Sequence, residues 1–384
     1  MCKICAGDNL EGLKKIDCSG CTTLQTIPNI KGLEILKCSN CPLITSIPNI
    51  KGLKKLFCTE CITLQTIPNI KGLEKLDCSY CPLIESIPNI KGLENLYCSN
   101  CPLIESIPTI EGLKILDCSY CPLIESIPNI KGLKELECYE CPLIESIPTI
   151  EGLKELYCRD CPLLNLIPTI EGLEVLICSR CPLIESIPNI KGLKELYCRD
   201  CPLLNLIPTI EGLKELDCSY CPLIESIPTI KGLKILICSR CPLISYIPNI
   251  KGLKELDCSY CPLIESIPNI ERLEILDCSY CPLINMIPNI IQHKLYDGNS
   301  FVLPYRKCKY LVSNKIIKLY NNVFNLWKRY KFNKYVSYLI KEYYLNPKYP
   351  YIGNLIENNF YENNIGRIKI GYINSKSKLI WLRF

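Results

Sequence analysis

A single 20-residue unit is repeated about 14 times between residues 13 and 290, and its cysteines keep one frame throughout. The copy at residues 93–112 reads Leu-Glu-Asn-Leu-Tyr-Cys-Ser-Asn-Cys-Pro-Leu-Ile-Glu-Ser-Ile-Pro-Thr-Ile-Glu-Gly. A fixed period of this length is typical of a solenoid, whose turns bury their apolar sides only by stacking on one another. The repeat therefore predicts a scaffold whose function depends on its surface.

Each repeat is numbered here from the leucine that follows the glycine, so that Leu93 occupies position 1 of its copy. Apolar residues or cysteines recur at positions 1, 4, 6, 9, 12, 15 and 18. Because positions 4 and 6 alternate with polar or variable positions 3, 5 and 7, we expect a strand of three to five residues with one buried face. Proline at positions 10 and 16 and glycine at position 20 exclude a helix, so extended or 3₁₀ segments are expected along the back.

The pattern Leu-x-x-Leu-x-Cys-x-x-Cys-x-x-Ile-x-x-Ile-Pro resembles the leucine-rich repeat over residues 10 to about 290. Cysteine stands where that family usually has a buried asparagine, as in its cysteine-containing subfamily. The chain looks most like uncharacterised leucine-rich repeat proteins of giant DNA viruses. This resemblance implies a solenoid with a parallel sheet on its concave face, little or no helix in the repeats, and no assigned activity.

Three regions are predicted. Residues 1–12 form a partial repeat or cap, residues 13–290 form the solenoid, and residues 291–384 form a basic, Tyr- and Asn-rich cap or accessory domain. The boundary near residue 290 rests on Arg272, which replaces the glycine of the repeat, and on His293, which stands where the next leucine is due.

The last region is predicted to be mainly helical. Apolar residues between Ile316 and Tyr330 have the spacing of one helix face, and a second helix is expected over residues 333–345. Alternating apolar residues over 365–384 indicate a short hairpin.

The charge is divided between the repeats and the tail. Residues 291–384 contain 17 Lys/Arg and 4 Asp/Glu, a net charge of +13, whereas residues 1–290 have a net charge of −8. A basic, tyrosine-rich tail permits attachment to nucleic acid or another anionic surface, although no recognised nucleic-acid motif is present. Docking of the tail onto its own acidic repeats explains the same asymmetry, so both interpretations stay open.

Thirty of the 31 cysteines lie in fifteen Cys-x-x-Cys pairs. Cysteine behaves as a small buried hydrophobe, which predicts two thiol ladders inside the solenoid and no cofactor. Zinc held by two pairs, or oxidation between neighbouring turns, are the alternatives. The first pair, Cys2 and Cys5, is the one for which metal binding is most open.

Several function classes are not expected. Residues 1–8 contain no apolar signal region, and no run approaches the roughly 18 apolar residues of a membrane span. We therefore expect an intracellular monomer in a reducing compartment, in cytoplasm or nucleus, without membrane contact. With His293 as the only histidine and no phosphate-binding glycine loop, an enzyme is not expected. A ubiquitin-ligase adaptor or effector, which the family resemblance suggests, is less favoured because Cys308 is the only tail cysteine.

Positions 3, 5, 7 and 8 vary between copies and are expected to form the concave surface, where such repeats commonly bind partners. We predict an unknown protein partner there, with a host protein as one candidate. Local neutralisation of alternating charges, and recent duplication of a 40-residue segment, explain parts of the same pattern. The predicted partner-binding residues are Tyr157, Arg159, Asp160, Arg180, Tyr197, Arg199, Asp200, Asp217, Tyr220 and Arg240.

Overall fold

The computed structural model describes residues 2–284 and the backbone of three further strands, Lys294–Tyr296, Lys369–Ile373 and Leu379–Arg383. The chain divides into two compact units, Met1–Lys328 and Arg329–Phe384. The described part of the second unit is an antiparallel hairpin, which confirms the predicted hairpin near the C-terminus. The predicted helices within residues 316–345 lie outside the described residues.

The first unit contains a parallel sheet of fifteen strands arranged in sequence order. Its first fourteen strands occupy positions 3–5 of their repeats, which confirms the short strand expected from the alternating pattern. The strands are β1 Lys15–Asp17, β2 Ile35–Lys37, β3 Lys55–Phe57, β4 Lys75–Asp77, β5 Asn95–Tyr97, β6 Ile115–Asp117, β7 Glu135–Glu137, β8 Glu155–Tyr157, β9 Val175–Ile177, β10 Glu195–Tyr197, β11 Glu215–Asp217, β12 Ile235–Ile237, β13 Glu255–Asp257, β14 Ile275–Asp277 and β15 Lys294–Tyr296, and the hairpin consists of β16 Lys369–Ile373 and β17 Leu379–Arg383.

The register of the sheet follows the sequence period. Asn95 in β5 pairs with Ile115 in β6, and the same step of 20 residues recurs along the solenoid. The step changes at the last pair, where Ile275 in β14 lies opposite Lys294 in β15. The sheet thus includes one strand beyond residue 290, the predicted end of the repeats.

The core is built from rows of equivalent apolar residues. In one central turn, Leu93, Leu96, Ile104, Ile107 and Ile110 are all buried, as expected for positions 1, 4, 12, 15 and 18. Full burial of one such side chain contributes about 1.5–3 kcal/mol. A turn has apolar neighbours only above and below it, so this burial depends on stacking. The described repeats contain no helix, in agreement with the prediction from proline and glycine.

The cysteines at positions 6 and 9 form the two predicted internal ladders. They are buried from Cys18 to Cys261, and Cys281 is buried as well, whereas Cys278 in the last described turn is half-buried. Burial raises the pKa of the Cys81 thiol to about 12 and that of Cys98 well above its ordinary value. The interpretation of these cysteines as small core residues is confirmed.

The thiols at position 9 also have a hydrogen-bonding role that the sequence did not reveal. Thirteen of them, from Cys41 to Cys281, donate to the backbone carbonyl of the position-6 cysteine in the preceding turn, at 3.1–3.3 Å. Cysteine therefore combines small apolar volume with a weak donor for a buried carbonyl. Since metal binding requires the thiolate, a thiol that donates its proton in this way is not a metal ligand.

Position 8 is a turn residue in the left-handed region of backbone conformation. Thirteen non-glycine residues at this position have φ between 47° and 60°, and Gly20 takes the place in the first turn with φ 71°. Their N–H groups extend the ladder past the strand; that of Tyr120, for example, donates to the carbonyl of Tyr139 at 2.7 Å. The ladder between turns thus imposes a conformation that tyrosine, arginine and glutamate seldom adopt.

The aspartates at position 5 stabilise this turn. In each case the carboxylate accepts a hydrogen bond from the backbone N–H of the serine at position 7, at 2.9–3.3 Å; the aspartates are Asp17, Asp77, Asp117, Asp217, Asp257 and Asp277. The prediction that position 7 lies on the exposed face is wrong for six copies, whose serines are buried: Ser79, Ser99, Ser119, Ser219, Ser239 and Ser259.

The left-handed turn generates a stability prediction. Glu140 is exposed and has φ 47°, so Glu140→Gly relieves backbone strain and should raise the free energy of unfolding by about 1 kcal/mol. The matched control is Glu125→Gly, which removes an exposed glutamate at position 13, outside the left-handed region. The control should lower the free energy of unfolding by about 0.5–1 kcal/mol. Urea unfolding of both variants measures this, and equal effects would contradict the strain argument.

Candidate protein-binding surface

The outer sheet face is formed by positions 3 and 5 of the strands. Side chains alternate across a strand, so the leucine at position 4 points into the core while its two neighbours point outward. The burial pattern of β8, half-buried–buried–half-buried, is typical of the central strands. Because the strands are in register, equivalent side chains form rows fixed to a regular backbone. The outer sheet face is the face that the sequence analysis predicted as the binding surface.

The N-terminal part of the outer sheet face is cationic and aromatic. The Nζ atoms of Lys37 and Lys75 lie 5.5 and 5.7 Å from the centre of the Phe57 ring. Lys75 also lies 4.5 Å from the centre of the Tyr97 ring. Cation–π contacts of this kind hold lysine side chains against the sheet.

The central part of the same face carries an acidic patch, which consists of Asp117, Glu135, Glu137 and Glu155. The register places Asp117 opposite Glu137, and Glu135 opposite Glu155. Burial raises the pKa of Glu137 to about 7, and repulsion from Asp117 and Glu135 adds to the effect. The sequence analysis missed this patch because it followed positions 5 and 8 along the repeats, whereas Glu135 and Glu155 occupy position 3.

Two of the predicted site residues lie on the outer sheet face with their hydroxyls fixed. The Tyr157 hydroxyl donates to Glu155 at 2.5 Å, and the Tyr197 hydroxyl donates to Glu215 at 2.6 Å. Burial, followed by these carboxylates, raises the pKa of both tyrosines. Asp217 lies on the same face and accepts the turn hydrogen bond from Ser219.

The other predicted residues lie at positions 7 and 8, where the chain leaves the strands; this line of residues is called the exit edge. Two hydrogen bonds join Arg180 to Asp160, from Nε at 2.6 Å and from the terminal nitrogen at 2.7 Å. The interpretation of these two residues as a neutralising pair is thus supported. Asp200 occupies the equivalent place one turn further, and the Arg159 guanidinium lies 4.7 Å from the Tyr139 ring centre.

Further along the exit edge, five side chains form a continuous arginine–tyrosine stack, Arg199–Tyr220–Arg240–Tyr260–Tyr280. The guanidinium of Arg199 lies 4.7 Å from the Tyr220 ring centre, and that of Arg240 lies 5.2 Å from Tyr220 and 4.0 Å from Tyr260. Tyr260 and Tyr280 are stacked at 4.3 Å with 15° between their planes. The three tyrosines remain 37–61% exposed. The structure therefore brings together three predicted residues and extends their row by two tyrosines.

Only one group of side chains within residues 2–284 has the arrangement of a metal site. It consists of Cys2, Cys5 and Cys21 at the N-terminal end of the solenoid, far along the chain from the predicted binding residues. None of the helices that a membrane span would require is found in the described part of the chain.

The fold and its exposed sheet define a class, the parallel β-solenoids with a variable outer face. A family model described as Leucine Rich Repeat matches residues 272–294. Repeats of the same pattern fill the remainder of the solenoid, and the chain is a leucine-rich repeat protein.

Among solved structures, the chain is similar to a leucine-rich repeat protein from Bacteroides ovatus ATCC 8483. The sequences are 14% identical, the TM-score is 0.32, and the match covers 73% of this chain and 85% of that chain. None of the curated proteins matches the sequence. The resemblance to viral proteins has no support in these comparisons.

The raised pKa of Glu137 generates a prediction about pH. Because folding raises this pKa to about 7, from an unfolded value of about 4.3, the folded state binds the extra proton and stability falls as pH rises between these values. Glu137→Gln should remove this part of the decline and raise the unfolding midpoint at pH 8. Denaturant unfolding at pH 5, 6, 7 and 8 measures the slope. Glu145→Gln, an exposed residue at position 13, should leave the slope unchanged, and an equal change in both variants would contradict the assignment.

Proposed function

We propose that this protein is a non-enzymatic scaffold that binds a protein partner on the outer sheet face and the exit edge between Tyr157 and Arg240. Leucine-rich repeat folds commonly serve as protein-interaction scaffolds. The carrying observation is the contrast between the two sides of the strand. Position 4 is leucine in every strand from β2 to β14, whereas position 5 changes among Asp, Glu, Lys, Phe, Tyr and Ile.

The chemistry of the exit edge supports this proposal. Tyrosine and arginine are enriched among the residues that contribute most to protein interfaces. In the arginine–tyrosine stack each side chain is held by its neighbours, so a partner loses less conformational entropy in ordering them. The exposed tyrosine area beside fixed guanidinium groups suits a partner with aromatic and carboxylate side chains.

The acidic patch supports a second part of the same interface. Its carboxylates repel one another on a rigid sheet, and cationic side chains of a partner would relieve that repulsion. We therefore propose that the partner presents lysine or arginine opposite Glu135, Glu137 and Glu155. An intracellular, reducing location belongs to this proposal, because the cysteines of residues 2–284 are free thiols.

Attachment to nucleic acid or another anionic surface through the basic tail is the second candidate function. The net charge of +13 over residues 291–384 favours it. This mode does not use the outer sheet face, and its affinity should fall steeply with salt concentration. Docking of the tail onto the acidic repeats is the third outcome that an experiment has to separate.

Affinity capture with matched variants tests the proposed surface. The surface variant combines Tyr157→Ala, Tyr197→Ala, Arg199→Ala and Arg240→Ala, and the control combines Glu85→Ala, Glu105→Ala, Glu225→Ala and Glu265→Ala at exposed position 13. We expect the surface variant to recover at least about tenfold less partner, because hot-spot truncations each cost about 2 kcal/mol or more. Quantitative mass spectrometry of the reduced lysate measures the recovery. Equal recovery by the two variants would contradict the proposal.

Truncation separates the alternatives. A chain of residues 1–290 should retain the partner if the outer sheet face binds it. Loss of binding on truncation, together with strong salt dependence in the full chain, would instead establish attachment through the tail. Stronger capture by the truncated chain would indicate that the tail covers the acidic repeats.

A further inference from the structure

Three thiols meet where the solenoid begins. The Sγ atoms of Cys2, Cys5 and Cys21 all lie within 4.8 Å of one another, and those of Cys5 and Cys21 are 3.6 Å apart. Cys2 and Cys5 are half-buried, so the group is reached from solvent, whereas Cys21 is buried. The Thr23 hydroxyl lies beside them, 3.6 Å from the Cys21 sulfur and 3.7 Å from the Cys5 sulfur.

The first pair of cysteines does not belong to the internal ladders. Cys2 precedes Cys18 by 16 residues, whereas the corresponding cysteines of all later repeats are separated by 20. A pair displaced by four residues does not fill positions 6 and 9 of a turn. Cys2 and Cys5 therefore need a different explanation from the other pairs.

Cys21 is also an exception among the position-9 cysteines of the described turns. The thirteen that follow it donate their thiol protons to a carbonyl of the preceding turn. No cysteine carbonyl stands 23 residues before Cys21, because the chain has no earlier turn there. Its sulfur faces Cys5 instead, so its proton is not required for the ladder.

The local backbone holds the Cys2–Cys5 pair in a turn. The Ala6 N–H donates to the Cys2 carbonyl at 2.9 Å, and the Asp8 N–H donates to the Lys3 carbonyl at 3.2 Å. Gly7 has φ 74°, a conformation that favours glycine. This turn keeps the two sulfur atoms on one side, facing the first repeat.

We propose that Cys2, Cys5 and Cys21 bind one thiophilic cation, Zn²⁺ or Cu(I), and that this ion fastens the N-terminal segment to the first turn. Thiolates favour these two ions over hard cations. Tetrahedral zinc with Zn–S distances of about 2.3 Å places its sulfur atoms about 3.8 Å apart, close to the Cys5–Cys21 separation. Binding releases the three thiol protons, and water occupies the fourth position of a zinc ion.

The proposed ion would act as an end cap. A first turn has no neighbour before it, and Leu10 and Leu13 remain only partly buried there. Joining residues 2–5 to Cys21 holds the N-terminal segment against this end, the role that capping segments have in solenoids. The other cysteines are left to the core.

A disulfide between Cys5 and Cys21 is the competing chemistry. It removes two electrons and two protons from the pair, requires an oxidant, and shortens the sulfur–sulfur distance from 3.6 Å to about 2.05 Å. The two possibilities differ in metal content and in mass, so one preparation distinguishes them.

Metal analysis of the full-length chain tests the proposal. The protein is purified under reducing conditions without a metal-affinity step, dialysed against Zn²⁺ with a weak competing chelator, and analysed by plasma mass spectrometry. We expect about one zinc per chain, with affinity at least about tenfold lower in Cys2→Ser and in Cys5→Ser. Cys308→Ser is the control and should bind as the wild type does. Both ligand variants change partly exposed residues outside the repeats, so the core provides no reason for misfolding.

Two further measurements report on ligands and role. Substitution with Co²⁺ should give thiolate-to-cobalt charge-transfer absorption that decreases by about a third when one of three thiolates is removed. Chelation should accelerate amide hydrogen exchange in residues 13–24 by about tenfold and leave residues 153–172 unchanged.

The outcomes are distinct. Cu(I) bound in place of zinc, with the same loss in both variants, would support the three-thiolate site. Failure of both ions to bind while the thiols are reduced would overturn it, as would metal retained in Cys2→Ser. A mass two hydrogens lower with a Cys5–Cys21 crosslinked peptide would replace the ion by a disulfide.

Discussion

Hydrogen bonds between turns are the constraint on which the rest of this structure depends. The N–H groups of positions 6 and 8 donate to carbonyls one turn further, as Cys98 does to Asp117 and Asn100 to Ser119, while the position-9 thiol donates to the turn before. One inserted residue would remove the partners of a whole turn, because every donor looks for an acceptor at a fixed distance along the sequence. The strict period of 20 residues follows from this requirement, and so does the freedom of side chains that point away from it.

The sequence allowed the core to be predicted because burial and period are written in single residues. Leu96, Cys98 and Ile104 occupy the positions that alternation and repetition assign to the interior. The left-handed turn at position 8 was not predictable, since Tyr120 or Arg180 have no local preference for it and the ladder imposes it from outside. The acidic patch was missed for a related reason: its repulsions join residues 20 apart on two strand positions, and only the register shows that they meet.

Several side chains that vary between repeats have duties within the fold, and these duties narrow the binding surface. The aspartates at position 5 hold the turn, and Arg180 neutralises Asp160, so neither observation requires a partner. The acidic patch is different, because its carboxylates raise the pKa of Glu137 and destabilise the sheet that carries them. The exposed tyrosines of the arginine–tyrosine stack also present more aromatic area than their mutual contacts cover. A binding role explains these two features better than a structural role does.

The two ends of the sheet depart from the repeat in different ways. At the C-terminal end the step shortens to 19 residues between β14 and β15, and the backbone ladder continues in spite of the change. At the N-terminal end the spacing of the cysteines shortens to 16, and three thiols meet where the thiol–carbonyl ladder has no earlier turn to bind. An internal cysteine satisfies its environment through its neighbours on both sides, whereas Cys21 has a neighbour on one side only. The same residue type that fills the core throughout the solenoid therefore becomes available for ligand chemistry at the turn where the repetition begins.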